Sequence, residues 1–88
     1  MLEYHAAYFK IEDGWYMAQV LDFPGVVTQG RTLNSARRMV RDTLRDMAEW
    51  YMEDGKPLPR PNSKASAKRA AFRERIRLRV QLQAGARS

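Results

Sequence analysis

The sequence has no cysteine and a single histidine, His5, in 88 residues. Disulfide staples, thiolate zinc sites and thiol nucleophiles are thereby excluded, so the chain must be held by packing alone. No stretch approaches the roughly 18 apolar residues of a membrane span. The start, Met1-Leu2-Glu3-Tyr4-His5, lacks the basic region and apolar run of a secretory leader. A cytoplasmic protein with no membrane partner is expected. Gly-rich phosphate loops, metal-spaced clusters and nucleophile elbows are missing as well. A metal-dependent nuclease needs several carboxylates converging on divalent cations. The strands offer few: Glu3, Glu12, Asp13, Asp22 and Glu74 lie at their ends or in turns. His5 lacks an evident partner in the sequence, which favours a structural or surface role over a general base. The chain therefore reads as a non-enzyme, with no catalytic residue, metal or cofactor.

Acidic residues are scarce in one half only. Residues 56–88 carry ten Lys or Arg and one acid, whereas residues 1–55 carry six Lys or Arg and nine acids. The whole basic excess is thus C-terminal, as on a surface that meets nucleic acid, anionic lipid or an acidic protein.

What is present is globular: 44% hydrophobic and 30% charged residues, enough to build a core. The length suits one domain, placed at residues 1–83, with 84–88 as a pattern-free tail. Tyr4-His5-Ala6-Ala7-Tyr8-Phe9-Lys10-Ile11 and Trp15-Tyr16-Met17-Ala18-Gln19-Val20-Leu21 have strand composition. Between them, Asp13-Gly14 is the signal of a type I′ hairpin turn. Asp22-Phe23-Pro24-Gly25 then turns the chain, with Pro24 and Gly25 suited to a type II turn. A short third strand follows at about 25–30, closed by Gly30.

Thr32 is placed to cap a long helix whose apolar positions Leu33, Ala36, Val40, Leu44, Met47 and Tyr51 share one face. Met39, Thr43 and Trp50 widen that stripe, and charged residues fill the other side. Gly55 stops the helix and Pro57 prevents its resumption. A proline-punctuated connection follows, in which residues 64–72 allow a short helix capped by Ser63 or Ser66. Finally, Ile76, Leu78, Val80 and Leu82 alternate with polar residues, the period of a strand. The predicted architecture is α+β, a sheet of three N-terminal strands plus a C-terminal one against one long helix, in the order β-β-β-α-β.

Leu21-Asp22-Phe23-Pro24-Gly25, followed by Val26, Thr28, Gly30 and Thr32, resembles the turn and helix start of the HicB antitoxin family and its short single-domain members. Trp50-Tyr51, Gly55 and Leu58-Pro59-Arg60-Pro61 resemble its aromatic-glycine-proline ending. The likeness covers about residues 4–63. Leu21 stands where the family has proline, Val26 where cysteine is frequent, and Ser35 where glutamate would complete a capping box. A DNA-binding domain of the kind that many HicB proteins append is not expected after Gln83. The resemblance implies a partial ribonuclease H-like fold without its catalytic acids, which self-associates as a homodimer or larger homo-oligomer. It also implies an antitoxin that neutralises a HicA-type toxin degrading messenger RNA.

Such a toxin tends to be basic, so the partner surface is expected on the acidic part of the chain, at Asp42, Asp46, Glu49 and Glu53 of the helix. Arg73, Arg75, Arg77 and Arg79 would project from one face of the last strand at about 6.6 to 7 Å spacing. They leave open a solvated face, an acidic protein contact, or a second function as a small nucleic-acid-binding module. Asp22, Pro24, Gly25, Gly30, Thr32 and Gly55 are read as turn and cap residues.

Overall fold

A computed structural model describes residues 2–79 of the chain. Strand β1 (Leu2–Lys10) pairs antiparallel with β2 (Tyr16–Val20) in a register that sets Ala6 opposite Val20 and Lys10 opposite Tyr16. The turn between them has the predicted chemistry. Asp13 and Gly14 both adopt positive φ, and the Trp15 N–H donates to the Glu12 carbonyl at 3.3 Å, as a type I′ turn requires. At the next bend the Val26 N–H donates to the Phe23 carbonyl, with Gly25 at φ 90° in the position that a type II turn reserves for glycine. This bend drives Phe23 into the core, where its ring stands edge-on to Tyr4 and Tyr51. β3 (Val27–Gly30) is shorter than expected, starting two residues later, and pairs antiparallel with β2.

Helix α1 (Leu33–Glu53) begins where Thr32 accepts the Ser35 N–H on its hydroxyl at 3.0 Å. With serine rather than glutamate at position 35, the cap is one-sided, and the Ser35 hydroxyl turns to the Met39 sulfur. Thr32→Ala is expected to cost about 1 kcal/mol, checked as a lowered thermal midpoint with unchanged far-ultraviolet dichroism. At the other end the Lys56 N–H reaches the Tyr51 carbonyl and the Gly55 N–H the Met52 carbonyl, with Gly55 at φ 74°. That pair of bonds is a Schellman stop.

β4 (Phe72–Leu78) closes the sheet, antiparallel to β1, to give the order β3-β2-β1-β4. The fold is the predicted α+β arrangement. Even-numbered residues of β1, β2 and β4, among them Tyr4, Tyr8, Val20 and Ile76, face Ala36, Val40, Leu44 and Ala48 of the helix.

Three expectations need correction. No short helix forms over residues 64–72: residues 64–71 form isolated turns and Phe72 already begins β4; the Asn62 side chain accepts the Lys64 N–H and its carbonyl accepts the Ala65 N–H, which breaks helical pairing at the start. Met39 and Trp50 do not widen the buried stripe; both are exposed, because the helix turns them beyond the flank that meets the sheet. Gly30 is no turn glycine, as discussed below. The last strand is Phe72–Leu78, and Val80 and Leu82, like the tail at 84–88, lie outside the described residues.

Candidate functional site

The acidic residues of α1 are spaced by four, three and four, which brings Asp42, Asp46, Glu49 and Glu53 to one side of the helix, away from the sheet. All four are exposed. Asp42 is engaged by Arg45 at 2.7 Å, a solvent-exposed pair worth little. Trp50, 60% exposed, stands on the same outward flank, one turn from Asp46. Its partner in sequence, Tyr51, packs inward against the core. Periodicity alone assigns Trp50 to the widened apolar stripe, since such a stripe accommodates it almost as well as the solvent side does; of the Trp50-Tyr51 pair, Trp50 is the exposed member.

Arg73, Arg75 and Arg77 alternate with Glu74, Ile76 and Leu78, so the three arginines leave β4 on the face away from the helix, and Arg79 is exposed just past the strand end. Glu3 of β1 lies opposite Arg77 and reaches both Arg77 at 3.3 Å and Arg75 at 3.7 Å. Arg73 donates instead to the Ser63 carbonyl. The row is therefore partly occupied by contacts within the chain.

Glu74, on the helix side of the same strand, is held by a bidentate contact from Arg37, by Arg41 at 3.5 Å and by the Tyr8 hydroxyl. Burial pushes its carboxyl up, but the hydrogen bonds from Arg37 and Tyr8 outweigh burial and hold it below the ordinary range. Burial, reinforced by Glu74, in turn raises the Tyr8 hydroxyl. This cluster clamps α1 onto β1 and β4.

Asp22, unlike the half-buried Glu74, is a buried carboxylate. One oxygen accepts the His5 backbone N–H at 2.9 Å. The other lies 2.7 Å from His5 Nδ1 and accepts the Asn62 N–H at 2.9 Å. An ionised carboxylate only accepts, so Nδ1 carries the proton. The lone histidine is thus buried with a partner brought from 17 residues away, and its role is structural: with Asp22 it fastens the connection after α1. Asn62 and Ser63 are tied to the sheet face opposite the helix, where Ala7 and His5 are buried, so the middle of that face is covered. Among the described residues no group of three or more His, Cys, Asp or Glu is placed to hold a metal, and no helix is long and apolar enough to cross a membrane.

Of the turn and cap residues, Pro24 and Gly25 shape the bend, Thr32 and Gly55 bound the helix, Asp22 serves contacts remote in sequence, and Gly30 lets the first turn of α1 come close to β3.

Residues 4–59 match the UPF0150-like family. The chain is 33% identical over 60 residues to antitoxin HicB 1 of Photorhabdus laumondii, covering 68% of this chain and 39% of that protein. It is 31% identical over 62 residues to a UPF0150 protein of Thermoplasma acidophilum, covering 70% of this chain and 90% of that one. The crystal structure of the N-terminal domain of Burkholderia pseudomallei antitoxin HicB superposes with a TM-score of 0.66 at 23% identity, over 92% of this chain and all of that domain. The chain thus spans about two fifths of the Photorhabdus relative it matches, and β4 with its arginines lies beyond the residues matched to the family. On these matches, the chain belongs to the UPF0150-like family, among HicB-type proteins.

Proposed function

We propose that the chain is a cytoplasmic HicB-like antitoxin that binds a HicA-type mRNA interferase and neutralises it by occlusion, without catalysis of its own. Family membership and relatives named as antitoxins support the role. The observation that supports the binding surface is the exposed stripe of Asp42, Asp46, Glu49 and Glu53 with Trp50 beside it. A basic RNA-binding partner is attracted by such a stripe, and an exposed tryptophan supplies the apolar anchor that interfaces concentrate their energy on. Self-association as a homodimer or larger homo-oligomer is part of the reading. The β3 edge, next to exposed Val27, is better placed for it than the covered sheet face.

The test is co-purification of a small basic protein from the native lysate, followed by an RNA cleavage assay with that protein. The wild-type chain should suppress cleavage stoichiometrically. Asp46→Lys with Glu49→Lys should weaken toxin binding about tenfold or more, and Trp50→Ala by a similar factor. Failure of the wild type to inhibit would remove the antitoxin reading. Inhibition with unchanged affinity in both variants would move the surface elsewhere.

A second reading, a nucleic-acid-binding module using Arg73, Arg75, Arg77 and Arg79, has in its favour the exposure of these arginines. Glu3 beside Arg75 and Arg77 weighs against it by placing a carboxylate where a phosphate would sit. Affinity for RNA falling steeply with salt would favour this reading.

A further inference from the structure

The outer edge of β4 carries a site that the helix stripe does not use. β4 is the last strand of the sheet, and among the described residues no backbone hydrogen bond reaches its outer side. A groove of about 630 Å³ runs along that edge between β4 and α1. Arg41 and Arg45 line the helix side and Arg75, Arg77 and Arg79 line the strand, while Leu44, Ile76 and Leu78 at the bottom belong to the buried edge of the core. Among the described residues Glu3 is the sole acid of the lining.

We infer that this groove binds an extended acidic segment of a partner protein, added to β4 as a further strand. Three features select this occupant. The unpaired main-chain groups of β4 need a peptide edge, which gives the affinity of strand addition. One face of the added strand lies over the edge of the core at Ile76 and Leu78, which apolar side chains there extend by one more strand. The opposite face of an added strand repeats every second residue, at about 6.6 to 7 Å, which matches the spacing of Arg75 and Arg77 and calls for acids at those positions, where they must displace the exposed contacts of Glu3. A nucleic-acid strand satisfies the arginines only, since phosphodiesters offer neither ladder hydrogen bonds nor aliphatic side chains. A second copy of this chain is disfavoured, because β4 against β4 would set one arginine row against the other. The ligand is thus a segment in which Asp or Glu alternates with aliphatic residues. The inference stands independently of the antitoxin reading, which uses the opposite charge on a different surface.

The experiment uses the full chain and a fluorescein-labelled ten-residue peptide of alternating glutamate and valine, followed by anisotropy. Saturable binding is expected, at least tenfold tighter than that of the same peptide N-methylated at alternate residues, which loses its ladder donors. It should also be at least tenfold tighter than a decauridine RNA. Arg75→Ala with Arg77→Ala should weaken the peptide at least tenfold, with circular dichroism confirming the fold. The methylated peptide is read on the unaltered protein, so the test survives a misfolded variant. Absence of saturable peptide binding, equal binding of the methylated peptide, or RNA binding as tight as the peptide would each overturn the proposal.

Discussion

Asp22→Ala is expected to destabilise the domain by about 3 kcal/mol, which for a chain of this size lowers the thermal midpoint by roughly 12 to 24 °C. The carboxylate accepts the His5 N–H, the His5 imidazole and the Asn62 N–H. Alanine leaves these donors facing a cavity, and a buried donor without an acceptor costs about 1 to 3 kcal/mol. Domains of this length hold only about 4 to 13 kcal/mol in total, so the variant should be close to its unfolding threshold at 37 °C. Asp22→Asn should also be damaging, because its amide NH2 would point at a donor. The measurement is urea unfolding at neutral pH. A midpoint within error of the wild type would contradict the assignment.

The same contact has a pH signature. Burial pushes the Asp22 carboxyl up, but the hydrogen bonds from Asn62 and His5 hold it below its ordinary value of 3.8. A carboxyl depressed in the folded state contributes stability that is fully present above the unfolded value and is lost as pH falls through the folded one. Glu74 is depressed below its ordinary 4.5 in the same sense. The wild type should therefore lose stability below about pH 4.5, and Asp22→Asn should show a shallower loss there. An equal slope in the two proteins would remove Asp22 from the acid transition.

Gly30→Ala is expected to cost about 3 kcal/mol, the upper part of the range for overpacking. A Cβ at this position would sit 2.5 Å from the Ala36 nitrogen and 2.9 Å from its Cα. Both belong to the backbone of the first turn of α1, which cannot swing aside as a side chain does. The helix must lift from β3, loosening Ala36 and Val40 in the core. Gly14→Ala separates this effect from ordinary conformational strain. Gly14 has φ 78° but open space around it, so alanine there should cost only about 1 kcal/mol. If denaturant titration shows the two variants equally destabilised, the close helix approach is not what glycine provides at position 30.

Much of the architecture was legible because it follows from neighbouring residues. Asp13-Gly14 and Pro24-Gly25 specify positive φ where the bends require it. Thr32 and Gly55 bound a helix whose apolar positions step along one face. The alternation from Arg73 to Leu78 places the arginines on one side of a strand. The errors came where local signals were indifferent. An alanine-rich stretch has helical propensity, yet residues 64–71 are spent on turns that return the chain to β1, where the Ala71 N–H meets the Tyr8 carbonyl. Trp50 fits a widened stripe by periodicity, but the flank that meets the sheet ends before it.

The sequence by itself determined the strands, turns, helix and their inward faces, because backbone φ preferences and side-chain period act over a few residues. Only the tertiary structure decided which distant groups meet. It joined Asp22 to Asn62, Glu74 to Arg37, and Gly30 to the first turn of α1. It also placed β4 at the sheet edge beside Arg41 and Arg45. Those contacts depend on strand order and on the angle of the helix across the sheet, which are set by packing of the whole core and leave no periodic mark on the chain.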